Sequence, residues 1–186
     1  MVKEKIDYLV KAWKVVTMNE TRDVIHNGAI AVNDGAIIGV GKADAIEDLY
    51  EPKEALGGSH FVLTPGMVNS HIHITGEPLT RGYVPDDIDF AQNVFEWLCP
   101  LYSVYTPEEE KLSGQLAAVE MLKSGTTTFL EAGTCRFLEE IFEGLEEVGI
   151  RGRLGRWAWD LPPEPEVYKQ NTDAVSYTHL TLPTKA

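Results

Sequence analysis

The sequence predicts an α/β protein, with a small β-rich unit first and the opening of a parallel sheet after it. Three observations carry this. An Asn-Asp-Gly turn at 33–35 separates two apolar runs, the pattern of a hairpin. From about residue 67 the order becomes strand, long excursion, helix, strand, helix, strand, which starts a βαβ series and implies parallel pairing. The chain has 186 residues, too few for an eight-stranded β/α barrel of about 250.

The first unit is expected over 1–64. Tyr8-Leu9-Val10 is a short apolar run, and Trp13, Val15 and Thr17 alternate with Lys14, Val16 and Met18. Asn27-Gly28 reads as a turn, Ala29 to Val32 as a strand, and Ala36 to Val40 as its return. Asp44 to Leu49 suits a short helix, and Gly57-Gly58 marks a joint. A hairpin cannot bury both faces alone, so these strands need a second layer, and a small β-sandwich is the natural expectation.

The second unit is expected over 65–174. A strand runs into His71-Ile72-His73-Ile74, a loop-rich stretch follows, and Phe90 to Leu98 suits a helix ending before Pro100. Thr106, Pro107 and Glu109 make a capping box for the next helix, in which Leu112, Leu116, Val119 and Leu122 predict the buried stripe. Gly125 suits its left-handed end, and Thr126 to Leu130 is a β-branched strand. A helix over about 136–148 turns Phe137, Leu138, Ile141, Phe142, Leu145 and Val148 to one side and most of its glutamates to water, Gly149 stops it, and Arg151 to Trp159 reads as a strand. Trp157 and Trp159 share one face of it, as core or as pocket wall.

Composition narrows the function. Sixteen Lys and Arg against 29 Asp and Glu give a formal charge of −13, which repels a nucleic-acid polymer. No apolar run approaches a membrane span or a secretory leader. Two isolated cysteines, Cys99 and Cys135, suggest no disulfide framework, so the cytoplasm is the expected compartment. The final twelve residues, VSYTHLTLPTKA, hold no acid. Val175 to Lys185 resemble translated read-through of a sequencing-library adapter, so 175–186 is expected to be a non-native tail. Tyr177 and His179 are accordingly set aside as candidates for chemistry.

The chemistry centres on His71 and His73. On a strand, residues two apart share a face, so both imidazoles can reach one metal ion. The bare pattern is equally that of two ordinary polar side chains. Its surroundings are more telling. LTPGMVNSHIH resembles the first barrel strand of the amidohydrolase superfamily. DYLVKAWKVVTMN and NGAIAVNDGAIIGVG precede it, and YTPEEEKLSGQLAAVEMLKSGTTTFLEAG follows, in the order found there. The GTTTF run and the HxHxxxE arrangement of His71, His73 and Glu77 resemble the cytosine deaminase, chlorohydrolase and S-adenosylhomocysteine deaminase branch.

That resemblance implies an incomplete (β/α)8 TIM barrel, about its first three strands, behind a small β-sandwich (composite) domain. It implies that His71 and His73 ligate a divalent metal, zinc first and iron second. The metal would activate water for attack on carbon–nitrogen (non-peptide) bonds, as in deamination of a cyclic amidine. The remaining ligands and the acid–base groups are expected beyond these residues, which leaves the fragment inactive. A full-length parent would take a small-molecule substrate, and a homo-oligomeric parent stays open.

Glu77 and Arg81 are substrate or loop residues on this reading. Asn69 braces the first strand or lies near substrate, and Glu131 ends the second strand on the active-site side. Cys135 is read as an inert thiol. The competing function is a folded, non-catalytic binding or scaffold module.

Overall fold

Residues 33–36 form the hairpin turn. In the computed structural model, which describes residues 2–76, 80–156 and 179–181, Asp34 and Gly35 both take positive φ (49° and 73°). This is the backbone a two-residue hairpin needs, and Asn33 pairs directly with Ala36 across it. The turn joins β2 (Val24–Asn33) to β3 (Ala36–Lys42). β1 (Glu4–Val16) pairs antiparallel with β2 and parallel with β4 (Tyr50–Leu63). The sheet order is therefore β3-β2-β1-β4, with α1 (Ala43–Leu49) connecting β3 to β4. Ile6, Leu9, Ala29, Ala31 and Ile46 form its core.

Two details of this unit differ from the sequence reading. Asn27-Gly28 makes no turn but lies inside β2, with Asn27 at φ 48° and Gly28 close against Val15. Gly57 and Gly58 fall within β4, where the register against β1 shifts beyond Ala12. Among the described residues this unit is one mixed sheet, antiparallel between β1 and β2 and between β2 and β3 and parallel between β1 and β4.

The second compact unit begins at Gly66. Its sheet has the order β5-β6-β7-β8: β5 (Met67–Ile72), β6 (Thr126–Glu131), β7 (Arg151–Gly155) and β8 (His179–Thr181). β5, β6 and β7 are parallel, as in the opening of a β/α barrel, and the described residues form no closed barrel. β8, from the segment expected to be non-native, pairs antiparallel with β7. Trp157 and Trp159 lie outside the described residues.

Among the described residues, four helices lie between these strands. α2 (Gln92–Leu98) is a π-helical segment, and α3 (Cys99–Val104) continues from it through Pro100. α2 ends before Pro100, as expected, and Pro100 sits in the first turn of α3, where a proline is tolerated. α4 (Pro107–Lys123) has the expected capping box: Glu109 N–H donates to Thr106 Oγ1 at 3.2 Å and Thr106 N–H to Glu109 Oε2 at 2.9 Å. α5 (Leu138–Val148) ends on Gly149, left-handed at φ 84°.

The buried face of α4 is not the expected one. Leu112, Leu116, Val119 and Leu122 are exposed, whereas Glu110, Ser113, Gly114, Ala117, Ala118 and Met121 are buried. Close packing explains the choice. A Cβ on Gly114 would stand 3.3 Å from Ile141, and one on Gly144 would stand 2.8 Å from Lys111. Only small residues permit that approach of α4 and α5. Leu116→Lys is therefore expected to change stability by no more than about 0.5 kcal/mol. Ala118→Leu, which overpacks the interior, is expected to cost about 1–3 kcal/mol. Urea denaturation of the two variants measures the contrast.

Candidate functional site

β5 carries the two candidate imidazoles to its C-terminal end. His71 lies in the strand, and His73 is one residue past it. Their rings are 5.0 Å apart, nearly perpendicular. Ile72 and Ile74 go instead to the apolar core, with Ile74 fully buried among Ala117, Phe129, Leu138 and Ile141. This division follows from strand alternation and anchors the histidine pair against a packed layer.

Asn69 braces the strand end, its Oδ1 accepting from the His71 backbone N–H at 3.2 Å. Asn69 and His71 line an open groove of about 570 Å³ with Arg81, Glu120 and Lys123. Arg81 pairs with Glu120 at 2.8 Å across that groove. Glu77 lies outside the described residues.

Glu131 closes β6 and is fully buried. Its Oε2 accepts from Gly133 N–H at 2.6 Å and Gly155 N–H at 3.2 Å, and its Oε1 accepts from Thr134 N–H at 2.9 Å and from the Thr134 hydroxyl. The same Oε1 is 3.8 Å from His73 Nδ1. That nitrogen is buried and has no hydrogen-bond partner among the described residues.

The sequence reading missed a second buried carboxylate, Glu110. It accepts from the Arg136 N–H at 3.0 Å and the Phe137 N–H at 2.7 Å. Burial pushes it above the usual carboxylate range, against the pull of those two N–H groups. In the sequence Glu110 is one of three adjacent glutamates. The signal that separates it is its helical phase, since 110, 113, 114, 117, 118 and 121 trace one stripe. Between the two carboxylates lies Cys135. Burial, then the negative charges of Glu131 and Glu110, push its thiol well up, which suits an inert residue.

Two imidazoles with rings 5.0 Å apart at the end of one strand fit part of a zinc or iron coordination shell. Among the described residues, no set of three or more His, Cys, Asp or Glu is placed to hold an ion.

The model of the amidohydrolase family matches residues 62–180. The chain belongs to that family. This amidohydrolase chain is 36% identical over 158 residues to a 5-methylthioadenosine/S-adenosylhomocysteine deaminase of Thermodesulfovibrio yellowstonii, covering 83% of itself and 35% of the relative. It spans about a third of the length of the curated relatives it matches. A zinc-bound adenosine deaminase from Xanthomonas campestris superposes with a TM-score of 0.73 at 27% identity, over 81% of this chain and 34% of that one. Atrazine chlorohydrolase from Arthrobacter aurescens shares the fold, with a TM-score of 0.75 at 17% identity over 91% and 41%. The amidohydrolase chain thus resembles the deaminase and chlorohydrolase branch. Among its described residues no helix is long and apolar enough to cross a membrane.

Proposed function

We propose that this chain carries the first two ligands, His71 and His73, of a metal-dependent hydrolase acting on carbon–nitrogen bonds other than peptide bonds. The reaction class is deamination of a cyclic amidine such as an aminopurine. The adjacent imidazoles at the end of a parallel strand carry this reading. The deaminase relatives and the zinc-bound structure support it.

A bound divalent metal supplies water acidified toward neutrality. The residues of the chain have positional roles. His71 and His73 would hold the ion, Asn69 fixes the strand end beside them, and Arg81 with Glu120 borders the neighbouring groove. Two imidazoles fall short of the four ligands zinc usually takes, so a working site needs further ligands and acid–base groups besides them.

The test is a zinc titration of the 186-residue chain followed through its histidine resonances, with ammonia release from adenosine measured in parallel. Weak zinc binding, lost in His71→Ala and in His73→Ala, and no ammonia release are expected. Zinc that perturbs neither ring overturns the metal reading. Turnover by this chain, abolished in His71→Ala, overturns its incompleteness. The second reading is a binding or scaffold module without chemistry. It requires that zinc leave both rings unperturbed.

A further inference from the structure

We propose that Glu131 is the positioning residue of His73, holding its Nδ1 as the protonated nitrogen and leaving Nε2 free to ligate. This deepens the metal-site reading of His71 and His73 and rests on it.

The carboxylate is immobile. Its two oxygens take four hydrogen bonds from Gly133, Thr134 and Gly155, which lie on the loop after β6 and at the end of β7. That loop is tied to the rest of the unit. Thr134 Oγ1 accepts from Thr75 Oγ1 at 3.3 Å, and the Thr75 carbonyl accepts from Ser113 Oγ of α4 at 2.6 Å. The carboxylate therefore cannot follow the imidazole, and the imidazole must adjust to the carboxylate.

The facing atoms decide the tautomer. A neutral imidazole has one N–H and one lone pair, whereas an ionised carboxylate only accepts. Both lone pairs of Glu131 Oε1 are taken by Thr134, so the contact at 3.8 Å is one of charge: an Nδ1–H turns its positive end toward the carboxylate, whereas an Nδ1 lone pair would face it. The separation exceeds a hydrogen bond, and such contacts commonly tighten when a site is loaded. In water a neutral histidine prefers its proton on Nε2, so this contact reverses the intrinsic preference. A ligating histidine that donates its other N–H to a carboxylate has a fixed orientation and a more basic ligating nitrogen.

The test uses the 186-residue chain with ¹⁵N-labelled histidine, at a pH where the imidazole is neutral. His73 is assigned by its loss in His73→Ala. The wild-type ring is expected in the Nδ1–H form, and Glu131→Gln is expected to return it toward Nε2–H. The same substitution is expected to weaken zinc binding about 10–100-fold. Glu131→Asp should restore part of both effects. Thr134→Val, which removes a donor to the same oxygen but keeps the charge facing His73, should retain the Nδ1–H form and so separates positioning from loop integrity.

An Nε2–H ring in the wild type overturns the proposal without any variant. A tautomer and zinc affinity unchanged by Glu131→Gln overturn it as well. If zinc perturbs neither imidazole while the Nδ1–H form is present, the metal reading alone fails, and the Glu131 contact stands.

Discussion

Phe129→Ala is expected to destabilise the second unit by about 3–5 kcal/mol, the usual cost of removing a buried aromatic ring. Phe129 is 2% exposed and sits in the core with Ile74, Leu138 and Leu154. Its partner across the β6–β7 ladder is Gly152, and a Cβ there would collide with the Phe129 ring. Ring and glycine therefore form one packing unit. Gly152→Ala alone is expected to cost about 1–3 kcal/mol by overpacking. In the double variant the added methyl enters space the ring has left. The combined loss should fall short of the sum of the two single losses by about 1 kcal/mol or more, as contacting residues do. Urea denaturation of the four proteins closes this cycle. Strict additivity would show that the ring does not rest on the glycine.

Glu110→Ala is expected to be nearly as damaging. It leaves the Arg136 and Phe137 N–H groups without their acceptor at the entrance to α5. Each such buried donor costs about 1–3 kcal/mol, which puts the substitution at about 2–5 kcal/mol. Glu110 also gives the fold a pH dependence of known sign. Burial is the main cause that raises it above its ordinary value of 4.5. A carboxyl raised on folding contributes stability below that ordinary value and loses it as pH climbs through the raised one. Wild type should therefore lose stability relative to Glu110→Gln between those two points. Denaturation midpoints measured across that window give the difference, and a difference that runs the other way would show that the two N–H groups outweigh desolvation.

The local signals were legible because they depend on few neighbours. Asp34-Gly35 needs only its own backbone to turn, and Thr106 with Glu109 needs only the first turn of a helix. The His71 and His73 pairing on one side of a strand follows from alternation, and the rings are indeed adjacent. What failed was where partners compete. Asn27-Gly28 has the composition of a turn, yet the ladder with β1 keeps it in a strand. The leucine stripe of α4 has more apolar area than the small-residue stripe, but close approach to α5 decides which face is buried.

From the sequence alone came the order of elements, the parallel start of the second sheet, and the two imidazoles as the place to look for chemistry. Tertiary structure alone assigned Glu110 to the interior and set Glu131 against His73. Spacing along a chain reports which side chains share a face. It does not report which oxygen from a distant strand arrives at a given nitrogen, because that depends on how helices and strands pack.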